Sequence, residues 1–464
     1  YDNRYYKMDT YYRRFYYHLD KVEDNSIFED LQTLVENIYI NQYLDIISKT
    51  FSHKLDYDHL KQKYKLQKDF YTHFIAGKNE RMIVIISDAF RYEVAKELVQ
   101  RFKYNEKVEA KIEPQIGVLP SYTSLGMAAL LPNNSIEIMD DYSVYVDGKP
   151  TNNLVERNAI LQSKNFKSDC IQYDDLIKMK KEFFSGKEVL YIYHNQIDAR
   201  GDKLNTEDEV FVACYEAMDE IEDLIKRLTN NISATRFIVT ADHGFIYTRR
   251  KNKESEKIDK FFSKDDKVNR RFIISDNSYN ILGTKNMIVS DVLGNYDERT
   301  ITMPLTSNVF KVQGGGQNFV HGGSSPQEIV VPVIKIKTTR GAVEVEKVKI
   351  SLISMISKIT SLLLSLDFVQ QEPISDIIKP ANYKIGFIDK SGKLISNEEI
   401  YVAKSKSRNS SDRIFNLKFR LRNKKYNRNE EYYFIITDIE TGIEIYKQQV
   451  IIDIAFAYDF GFDI

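Results

Sequence analysis

The hydrophobic positions in the middle of the chain form short, continuous runs and do not alternate with polar ones. These runs lie at 81–88 (RMIVIISD), 188–193 (EVLYIY) and 236–240 (RFIVT). Unbroken apolar runs of this length predict strands that are buried on both faces, as in a parallel sheet. Over 91–102 and 205–228 the apolar residues recur every three or four positions, which predicts amphipathic helices between the strands. The pattern therefore predicts an α/β domain with a mostly parallel sheet covered by helices.

A helical segment is predicted before this domain, over residues 1–79. Its aromatic and apolar residues repeat at helical spacing: Tyr5, Met8, Tyr12, Tyr16 and Leu19. The tyrosine-rich face fits two interpretations, a helix packed on its neighbours or a surface on which nucleic-acid bases stack. Because the chain begins with Tyr1 and not with Met, we expect this segment to be the end of a larger upstream region.

The last part of the chain, 346–464, follows a different pattern. Short strand-like stretches such as YKIGFID, IFNLKFRLR and EYYFIITDI are separated by the turn-forming stretches DKSGK, SRNSSD and DIETG. This alternation predicts an all-β, sandwich-like domain, and no candidate catalytic residues stand out in it. The predicted divisions of the chain are therefore 1–79, 80–345 and 346–464.

Composition and charge narrow the class of protein. With 464 residues, of which 42% are hydrophobic and 29% charged, the chain can form two or three globular domains. A formal net charge of -1 gives no global basic field for nucleic acid. Cys170 and Cys214 have neither metal-ligand spacing nor a disulfide pattern. Since no apolar run has membrane-spanning length and no signal peptide opens the chain, we expect a cytoplasmic protein without a membrane partner.

Acidic residues collect where the predicted strands end. Asp88 ends the first strand, Asp242 and His243 follow the third, and Asp198 and Asp202 come shortly after the second. Open parallel sheets bind ligands at the carboxyl ends of their strands, so we expect these side chains at one edge of the sheet. Grouped carboxylates repel one another, and a divalent cation removes that repulsion. Carboxylate oxygens and imidazole nitrogens suit Zn²⁺ or Mn²⁺.

Two further segments carry candidate site residues. In VLPSYTSLGMAALLP (118–132), Thr123 lies near the predicted start of a helix, where backbone N–H groups can bind a phosphate oxygen. A metal-bound threonine hydroxyl can act as a nucleophile. In FVHGGSSPQEIVVPVIKI (319–336), His321 precedes two glycines, which let the backbone turn tightly beside a ligand, and then a strand.

In this order, the motifs resemble those of the PglZ domain, a branch of the alkaline phosphatase superfamily. The segments that carry the resemblance are IISDAFRYEVAKEL, LPSYTSLGMAALLP, IDARGD, TADHGF and HGGSSPQE, and they extend over about 80–340. The flanking segments are also similar to those of PglZ proteins from BREX phage-defence systems. The resemblance implies an alkaline-phosphatase-like fold and a metal-dependent phosphatase or phosphodiesterase.

The resemblance also implies roles for individual residues toward one or two divalent cations. The residues implied are Asp88, Thr123, Asp242 and His243 for the first cation, and Asp198, Asp202 and His321 for the second. Thr123 would be the nucleophile. In phosphodiesterase relatives the position of Asp202 is usually His, and this departure makes Mn²⁺ a candidate beside Zn²⁺.

The nucleophile has alternatives. Relatives often carry Thr-x-Pro, whereas in this chain Pro120 comes before Thr123. The spacing from Thr123 to the end of the AALLP run fits the family better than the spacing from Ser121, which stays the reserve candidate. Ser124 is disfavoured, because consecutive residues on a helix point about 100° apart.

Two classes of function follow. The first is a component of a BREX anti-phage system with a phosphodiesterase-like or nuclease-like site, which acts on a phosphoester such as DNA together with other BREX proteins. The alternative is a scaffold or ligand-sensing subunit that keeps the metal site without turnover. The run TRRKNKESEK (248–257) fits either a contact to a nucleic-acid backbone or a solvated loop. His194 could support the site or contact a substrate, but we expect a surface or core residue. Arg91 could contact phosphate, but we expect it to face solvent from the helix that follows the first strand.

Overall fold

The computed structural model divides the chain into two compact units, Tyr1–Arg340 and Gly341–Ile464. The structure describes residues 1–22, 25–103, 107–251, 254–259, 262–263, 266, 268–312, 318–339, 346–375 and 378–454. The first unit contains both the predicted N-terminal segment and the predicted α/β domain, so a boundary near residue 79 stays a prediction. The predicted boundary at residue 345 lies outside the described residues.

A seven-stranded sheet forms the centre of the first unit. Its strands are β1 (Lys65–Leu66), β2 (Met82–Ser87), β3 (Val108–Ile116), β4 (Ser168–Gln172), β5 (Val189–His194), β6 (Arg236–Thr240) and β7 (Val330–Thr338). They lie side by side in the order β1-β3-β7-β6-β2-β5-β4. All neighbouring strands in this sheet are parallel except at β7, which runs antiparallel to β3 and β6. The predicted mostly parallel α/β sheet is therefore confirmed.

Helices cover both faces of the sheet. The helices used below are α1 (Tyr6–Leu19), α2 (Tyr92–Phe102), α3 (Thr123–Ala129), α4 (Leu154–Lys164), α5 (Asp198–Gly201) and α6 (Val210–Ile232). Side chains of α1, α2 and α6 share one apolar core with Ile83 and Ile85 of β2. Side chains of α3 and α4 share the other core with Val84 and Ile86. Burial on both faces is the reason that the sequence of β2 is apolar without alternation.

Shorter elements complete the first unit. Apart from short 3₁₀ helices, its other described helices are Glu29–Asn37, the π-helical Ile38–Leu44, Asp45–Lys54, Tyr57–Leu60, Phe70–Phe74, Tyr173–Leu176, Val289–Leu293 and Pro326–Ile329. Two antiparallel sheets are formed by Ile136–Ile138, Val144–Val146 and Lys149–Pro150, and by Ile273–Ser275, Thr284–Ile288 and Thr300–Pro304. Two strand pairs join Ile246–Tyr247 to Phe319–Val320 and Lys257–Ile258 to Val309–Phe310. Among the described helices, none combines the length and apolarity needed to cross a membrane.

Two tyrosines of α1 face the inside of the unit. Tyr12 and Tyr16 are buried, and both hydroxyls donate a 2.6 Å hydrogen bond to Oε1 of Glu36. The Tyr12 ring also stacks on Tyr39, with 3.7 Å between the ring centroids. These contacts confirm the packed-helix interpretation for Tyr12 and Tyr16, whereas Tyr5 is exposed.

The second unit is a β domain with its own core. Its described strands form a three-stranded sheet of Ile350–Leu352, Leu363–Gln370 and Ile414–Arg420, a five-stranded sheet of Lys358–Ile359, Ala381–Asp389, Glu399–Ala403, Tyr432–Asp438 and Glu444–Ile452, and a pair of Glu346–Lys347 with Ile378–Lys379. Phe368 from the first sheet packs in one apolar core with Phe387 and Phe434 from the second. The predicted all-β, sandwich-like C-terminal domain is confirmed.

Candidate functional site

The carboxyl ends of β2 and β6 bring two acidic residues together. Ile86 lies opposite Thr240 in the register of these strands, so Asp88 and Asp242 follow side by side. The backbone N–H of Ala89 donates a 3.1 Å hydrogen bond to Oδ1 of Asp242. Ala89 has a φ of 58°, a conformation that is unfavourable for a residue with a side chain and that clusters at functional sites. This turn fixes the Asp242 carboxylate beside Asp88.

Two glycines let neighbouring segments approach the Asp242–His243 turn. A Cβ on Gly126 of α3 would lie 2.3 Å from the carbonyl oxygen of Asp242. A Cβ on Gly244 would lie 2.1 Å from the carbonyl oxygen of Gln327. Because both obstacles are backbone atoms, no side chain fits at either position without moving the chain. The close approach explains why a glycine follows the Asp-His pair and why α3 can reach it.

The first group of candidate metal ligands consists of Asp88, Asp242 and His243, whose ligand atoms all lie within 4.8 Å of one another. Nε2 of His243 is 3.3 Å from Oδ2 of Asp242 and 3.7 Å from Oδ1 of Asp88. The hydroxyl oxygen of Thr123, the first residue of α3, is 3.0 Å from the same Nε2. The predicted nucleophile is thus in contact with the predicted ligand set.

A second group consists of Asp198, His243 and His321, again with ligand atoms within 4.8 Å of one another. The imidazole rings of His243 and His321 stack, with 4.1 Å between centroids and 8° between the ring planes. Nε2 of His321 is 3.9 Å from Oδ1 of Asp198. Since both groups contain His243, they form one continuous site.

Backbone carbonyl groups orient both imidazole rings. Nδ1 of His243 donates to the carbonyl oxygen of Gly244 at 2.9 Å, and Nδ1 of His321 donates to the carbonyl oxygen of Ser121 at 3.2 Å. A ring nitrogen must carry a proton to bond to a carbonyl, so Nε2 of each neutral ring keeps its lone pair. Histidines that bind metal ions are held in this way.

Carboxylate oxygens at the centre of the site have no hydrogen-bond partner. Among the described residues, this holds for Oδ1 of Asp88, Oδ1 of Asp198 and Oδ2 of Asp242. Burial raises the pKa of all three groups, to about 7 for Asp242. Asp242 and Asp198 add to the rise at Asp88, whereas the N–H of Ala89 acts against the rise at Asp242 and His321 acts against the rise at Asp198. Burial, and then the nearby His321, lower the pKa of His243 well below its ordinary value.

A divalent cation fits this arrangement. Three unpartnered carboxylate oxygens and two imidazole lone pairs face one another, and buried like charges are unfavourable without a counter-ion. A cation would supply both the missing partner and the missing charge. Oxygen and nitrogen ligands of this kind match the preferences of Zn²⁺ and Mn²⁺.

Asp202 lies outside both groups. Asp198 is half-buried at the start of α5 and faces His321, whereas Asp202 follows the end of this helix and is exposed. The four-residue spacing puts the two acids on one side of a single helical turn, but the second acid points to solvent. The structure therefore brings only Asp198 into the site, and a role of Asp202 as a ligand stays a prediction.

Ser121, the reserve nucleophile, uses its hydroxyl to hold the backbone. Its Oγ donates to the carbonyl oxygen of Gly323 at 2.7 Å and accepts from the N–H of Gly322 at 3.1 Å. The residue is buried, whereas Thr123 is half-buried. Ser121 therefore joins the start of α3 to the loop that carries His321.

Two other residues near the motifs belong to the interior. His194 is buried, with Nδ1 2.9 Å from Oγ of Ser87 and Nε2 2.9 Å from Oε2 of Glu220, so it is a core residue. Arg91 was expected to face solvent, and this expectation is wrong. It is buried and pairs with Glu93 at 2.6 Å, because it lies at the N-cap of α2 in an extended conformation, before the helical face begins.

The residues that shape the site without lining it were not predicted. The strained backbone of Ala89 leaves no mark in the sequence, because alanine is common in every kind of local structure. Gly126 did leave a mark, since a glycine inside a predicted helix indicates a close approach or a packing constraint.

Comparison with known proteins identifies the family. A family model described as the BREX system PglZ alkaline phosphatase-like domain matches residues 70–336, which is more than half of the chain. The chain belongs to this family. The matched region contains Thr123 and every member of the two ligand groups. Membership confirms the resemblance drawn from the motifs and the alkaline-phosphatase-like fold of the sheet domain.

Two curated relatives are similar along nearly the whole chain. The alkaline phosphatase-like protein PglZ of Bacillus cereus is 43% identical over 481 residues, covering 100% of this chain and 56% of the relative. The alkaline phosphatase-like protein BrxZ of Escherichia coli is 31% identical over 480 residues, covering 98% of this chain and 55% of the relative. The chain therefore spans a little over half the length of these relatives. Among solved structures, human ectonucleotide pyrophosphatase/phosphodiesterase 5 is similar over 56% of this chain and 88% of its own, with 11% identity and a TM-score of 0.42.

Proposed function

We propose that this PglZ-family chain is a metal-dependent phosphoester hydrolase, a phosphatase or phosphodiesterase, and that Thr123 is its nucleophile. The observation that supports this most directly is the 3.0 Å contact between Oγ1 of Thr123 and Nε2 of His243, the residue that both ligand groups share. A hydroxyl oriented toward the ligand atoms of a metal site is one of the arrangements that activate a hydroxyl nucleophile.

Each ligand group would hold one cation. Asp88, Asp242 and His243 would bind the first, and Asp198 and His321 would bind the second, with Zn²⁺ and Mn²⁺ as the candidate metals. When bound, such cations polarise phosphoryl oxygens and lower the pKa of a hydroxyl at the site. The two carbonyl groups that fix the imidazole rings would keep the ligands in place before the metal arrives.

The chemistry would proceed in two steps at Thr123. Its Oγ1 would give up its proton to water and form a bond to phosphorus while the bond from phosphorus to the leaving oxygen breaks, and the leaving oxygen would take up a proton from water. A water molecule would then cleave the phospho-threonine and restore the hydroxyl. Because Thr123 is only half-buried, a substrate can reach its oxygen, whereas Ser121 is closed in by its two backbone hydrogen bonds.

DNA is one candidate substrate in this proposal, and the basic run at 248–257 does not support it independently. In the described part of this run, Arg249 pairs with Asp20, and Arg250 pairs with Glu256 at 2.8 Å. Arginines already neutralised by carboxylates contribute less to phosphate binding than free ones. The substrate class that we propose is therefore a phosphoester, and only the candidate metal site supports it.

We also propose where the protein acts and which proteins it acts with. We infer that it acts in the cytoplasm, within a BREX assembly, and that its partners are other BREX proteins. Family membership supports this part, and the chain spans a little over half the length of the curated relatives that it matches.

Metal analysis and an assay with three substrates test the proposal. Purified protein should contain about one or two transition-metal ions per chain, and its melting temperature should rise with Zn²⁺ or Mn²⁺. Turnover is then measured on a small phosphodiester, a phosphomonoester and plasmid DNA. Metal-free protein without a melting shift would contradict the metal site. Metal binding without turnover of any substrate would favour the scaffold or ligand-sensing subunit.

A further inference from the structure

Gln67 lies at the edge of the sheet that carries the candidate site, but it belongs to neither ligand group. It is the first residue of the 3₁₀ turn Gln67–Asp69, directly after β1. β1 runs parallel to β3, with Leu66 opposite Ile116, so Gln67 follows at the carboxyl ends of these two strands. β3 and β6 both run antiparallel to β7. The carboxyl end of β6, from which Asp242 extends, is therefore at the same edge.

The side-chain amide of Gln67 is fully buried, and both its nitrogen and its oxygen bond to the backbone. Nε2 donates to the carbonyl oxygen of Ala241 at 3.0 Å and to that of Asp242 at 2.7 Å. Oε1 accepts from the N–H of Val118 at 3.1 Å. Only one orientation of the amide satisfies all three bonds, because a carbonyl oxygen accepts and an N–H donates. The partners therefore fix the side chain from two sides.

These hydrogen bonds join the two segments that carry Thr123 and His243. Val118 lies in the stretch that leads into α3, which begins at Thr123, and Asp242 directly precedes His243. Within the described chain, no backbone hydrogen bond runs directly between 118–126 and 240–244. The 3.0 Å contact between Oγ1 of Thr123 and Nε2 of His243 therefore depends on packing and on side chains that bond to both segments, as Gln67 does.

The neutral amide suits this position better than a carboxylate of the same size. A glutamate at position 67 could still accept from Val118, but its second oxygen would face the carbonyl oxygens of Ala241 and Asp242. Two acceptors facing one another leave buried polar groups without partners, which is unfavourable. A glutamine holds the backbone on both sides and adds no charge beside the carboxylates of the site.

We propose that Gln67 is a positioning residue that sets the separation between Thr123 and the ligands Asp242 and His243, an inference that rests on the proposed hydrolase function. Gln67 acts through the backbone of the two segments that it joins. Misplacement of a reacting group by about 1 Å can lower a rate by about 100-fold. Groups that hold metal ligands in place affect metal affinity to a similar extent.

Metal affinity and turnover are measured on the full chain for wild type and Gln67→Met. Methionine has nearly the length of glutamine and removes all three hydrogen bonds. Calorimetry should show that Gln67→Met binds Mn²⁺ about 10- to 100-fold more weakly than wild type. At saturating Mn²⁺, kcat for the small phosphodiester should fall by a similar factor. KM should change little, since the lost interaction orients the nucleophile and does not bind substrate.

Gln370→Met, in the second unit, is the matched control. Gln370 is also fully buried, and its Nε2 donates to the carbonyl oxygens of Glu372 and Ser405 at 2.7 and 2.8 Å. Its Oε1 accepts from the N–H of Ser405 at 2.9 Å. The substitution removes the same three kinds of bond away from the site. Gln370→Met should lower the melting temperature, as Gln67→Met should, but keep the Mn²⁺ affinity and kcat of wild type.

If Gln67→Met does not fold, Gln67→Asn takes its place. Asparagine keeps the amide group but is one methylene group shorter, so it can bond to one of the two segments at a time. It should show the same losses of Mn²⁺ affinity and kcat to a smaller extent.

The outcomes separate this inference from the proposed function. A folded variant of Gln67 with the Mn²⁺ affinity and kcat of wild type would overturn the positioning role, even if its melting temperature fell as in Gln370→Met. Weakened Mn²⁺ affinity in the variant, with no turnover of any phosphoester by wild type, would support the positioning role and reject the hydrolase. A wild-type protein that binds no metal would reject both.

Discussion

Gly126 controls how closely α3 approaches the Asp242 turn. Alanine is the better helix former by about 1 kcal/mol, yet its Cβ would lie 2.3 Å from a backbone oxygen of Asp242. We therefore expect Gly126→Ala to lower the free energy of unfolding by about 1–3 kcal/mol and to reduce turnover, because Thr123 moves away from His243. Thermal unfolding and the phosphodiester assay measure both effects. Ser124→Ala on the same helix is the control and should change neither. Wild-type stability and turnover in Gly126→Ala would show that the helix does not need this approach.

Because carboxylate oxygens at the site have no partner among the described residues, we expect Asp88→Asn to have opposite effects on stability in the absence and in the presence of metal. Asp88→Asn removes a buried carboxyl group whose ionisation is opposed by burial and by Asp242 and Asp198, so the metal-free protein should become more stable at neutral pH, by about 1–2 kcal/mol. The same variant should lose the rise in melting temperature that Zn²⁺ or Mn²⁺ gives wild type. Melting in chelator and in metal tests both parts.

Asp202→Asn is the matched control for Asp88→Asn, because Asp202 is exposed and outside both groups. It should leave the stability of the metal-free protein unchanged. A loss of the metal-induced melting shift in Asp202→Asn would make Asp202 a ligand. A metal-free Asp88→Asn protein that melts below wild type would contradict the repulsion between the carboxylates.

Most candidate residues could be predicted from the sequence because strand ends meet at one edge of a parallel sheet. This rule applies to Asp88, Asp242 and His243, which the structure brings together. It does not determine whether a side chain after a single helical turn points inward, and so it could not distinguish Asp198 from Asp202. The choice between neighbouring hydroxyls also depends on backbone partners that sequence spacing does not reveal.

At the scale of elements, a buried ion pair holds the loop that carries His321. Nε and Nη2 of Arg271 donate to the two carboxylate oxygens of Glu328 at 3.1 and 2.8 Å, and both side chains are fully buried. Oε1 of Glu328 also accepts from the N–H of Gly323 at 2.8 Å. The loop is therefore fixed on both sides, and the position of His321 depends on this pair.

We expect Glu328→Gln to lower the free energy of unfolding by about 3–5 kcal/mol, because it leaves the buried charge of Arg271 without its partner. If the variant stays folded, its affinity for metal should also fall, since the loop with His321 loosens. Chemical denaturation and metal titration measure these changes. Lys335→Gln, on the exposed side of β7, should behave like wild type. If the Glu328→Gln protein were as stable as wild type, the Arg271–Glu328 ion pair would not stabilise the loop that carries His321.

Elements with a strong periodic pattern were predictable, and those with a weak pattern were not. The buried strands β2, β5 and β6 follow the apolar runs closely. The strand β4 (SDCIQ) has only two apolar residues, which is too few to show a period. The antiparallel direction of β7 could not be predicted, because the apolar pattern of a strand reads the same whichever way the strand runs in the sheet.

At the scale of the whole molecule, the division into units predicts what a truncation should do. The described strands of the second unit enclose an apolar core of their own, and the candidate site uses residues of the first unit only. A protein without residues 346–464 should therefore fold, bind the same amount of metal and hydrolyse a small phosphodiester. Circular dichroism, elemental analysis and the assay test this. A folded, metal-loaded truncation with no hydrolysis would show that the second unit belongs to the active site.

The sequence predicted the β domain as a separate part, but it gave no sign that α1 packs within the same unit as the sheet. Long-range charge pairs make this connection. The buried Arg13 of α1 pairs with Glu93 at 2.8 Å and with Glu97 at 2.7 Å, both on α2. Residues that lie about 80 positions apart in the sequence carry no pattern that would reveal such a contact.

The central claim is that Thr123 is the nucleophile of a metal-dependent hydrolase, and one paired measurement on Thr123→Val tests it most directly. Valine keeps the shape of threonine and removes the oxygen. We predict that the metal content stays at the wild-type level, because Asp88, Asp242 and His243 remain. Turnover of a small phosphodiester should fall by about 10³-fold or more, since no other positioned group replaces the hydroxyl. Wild-type turnover in a metal-loaded Thr123→Val protein would contradict the claim.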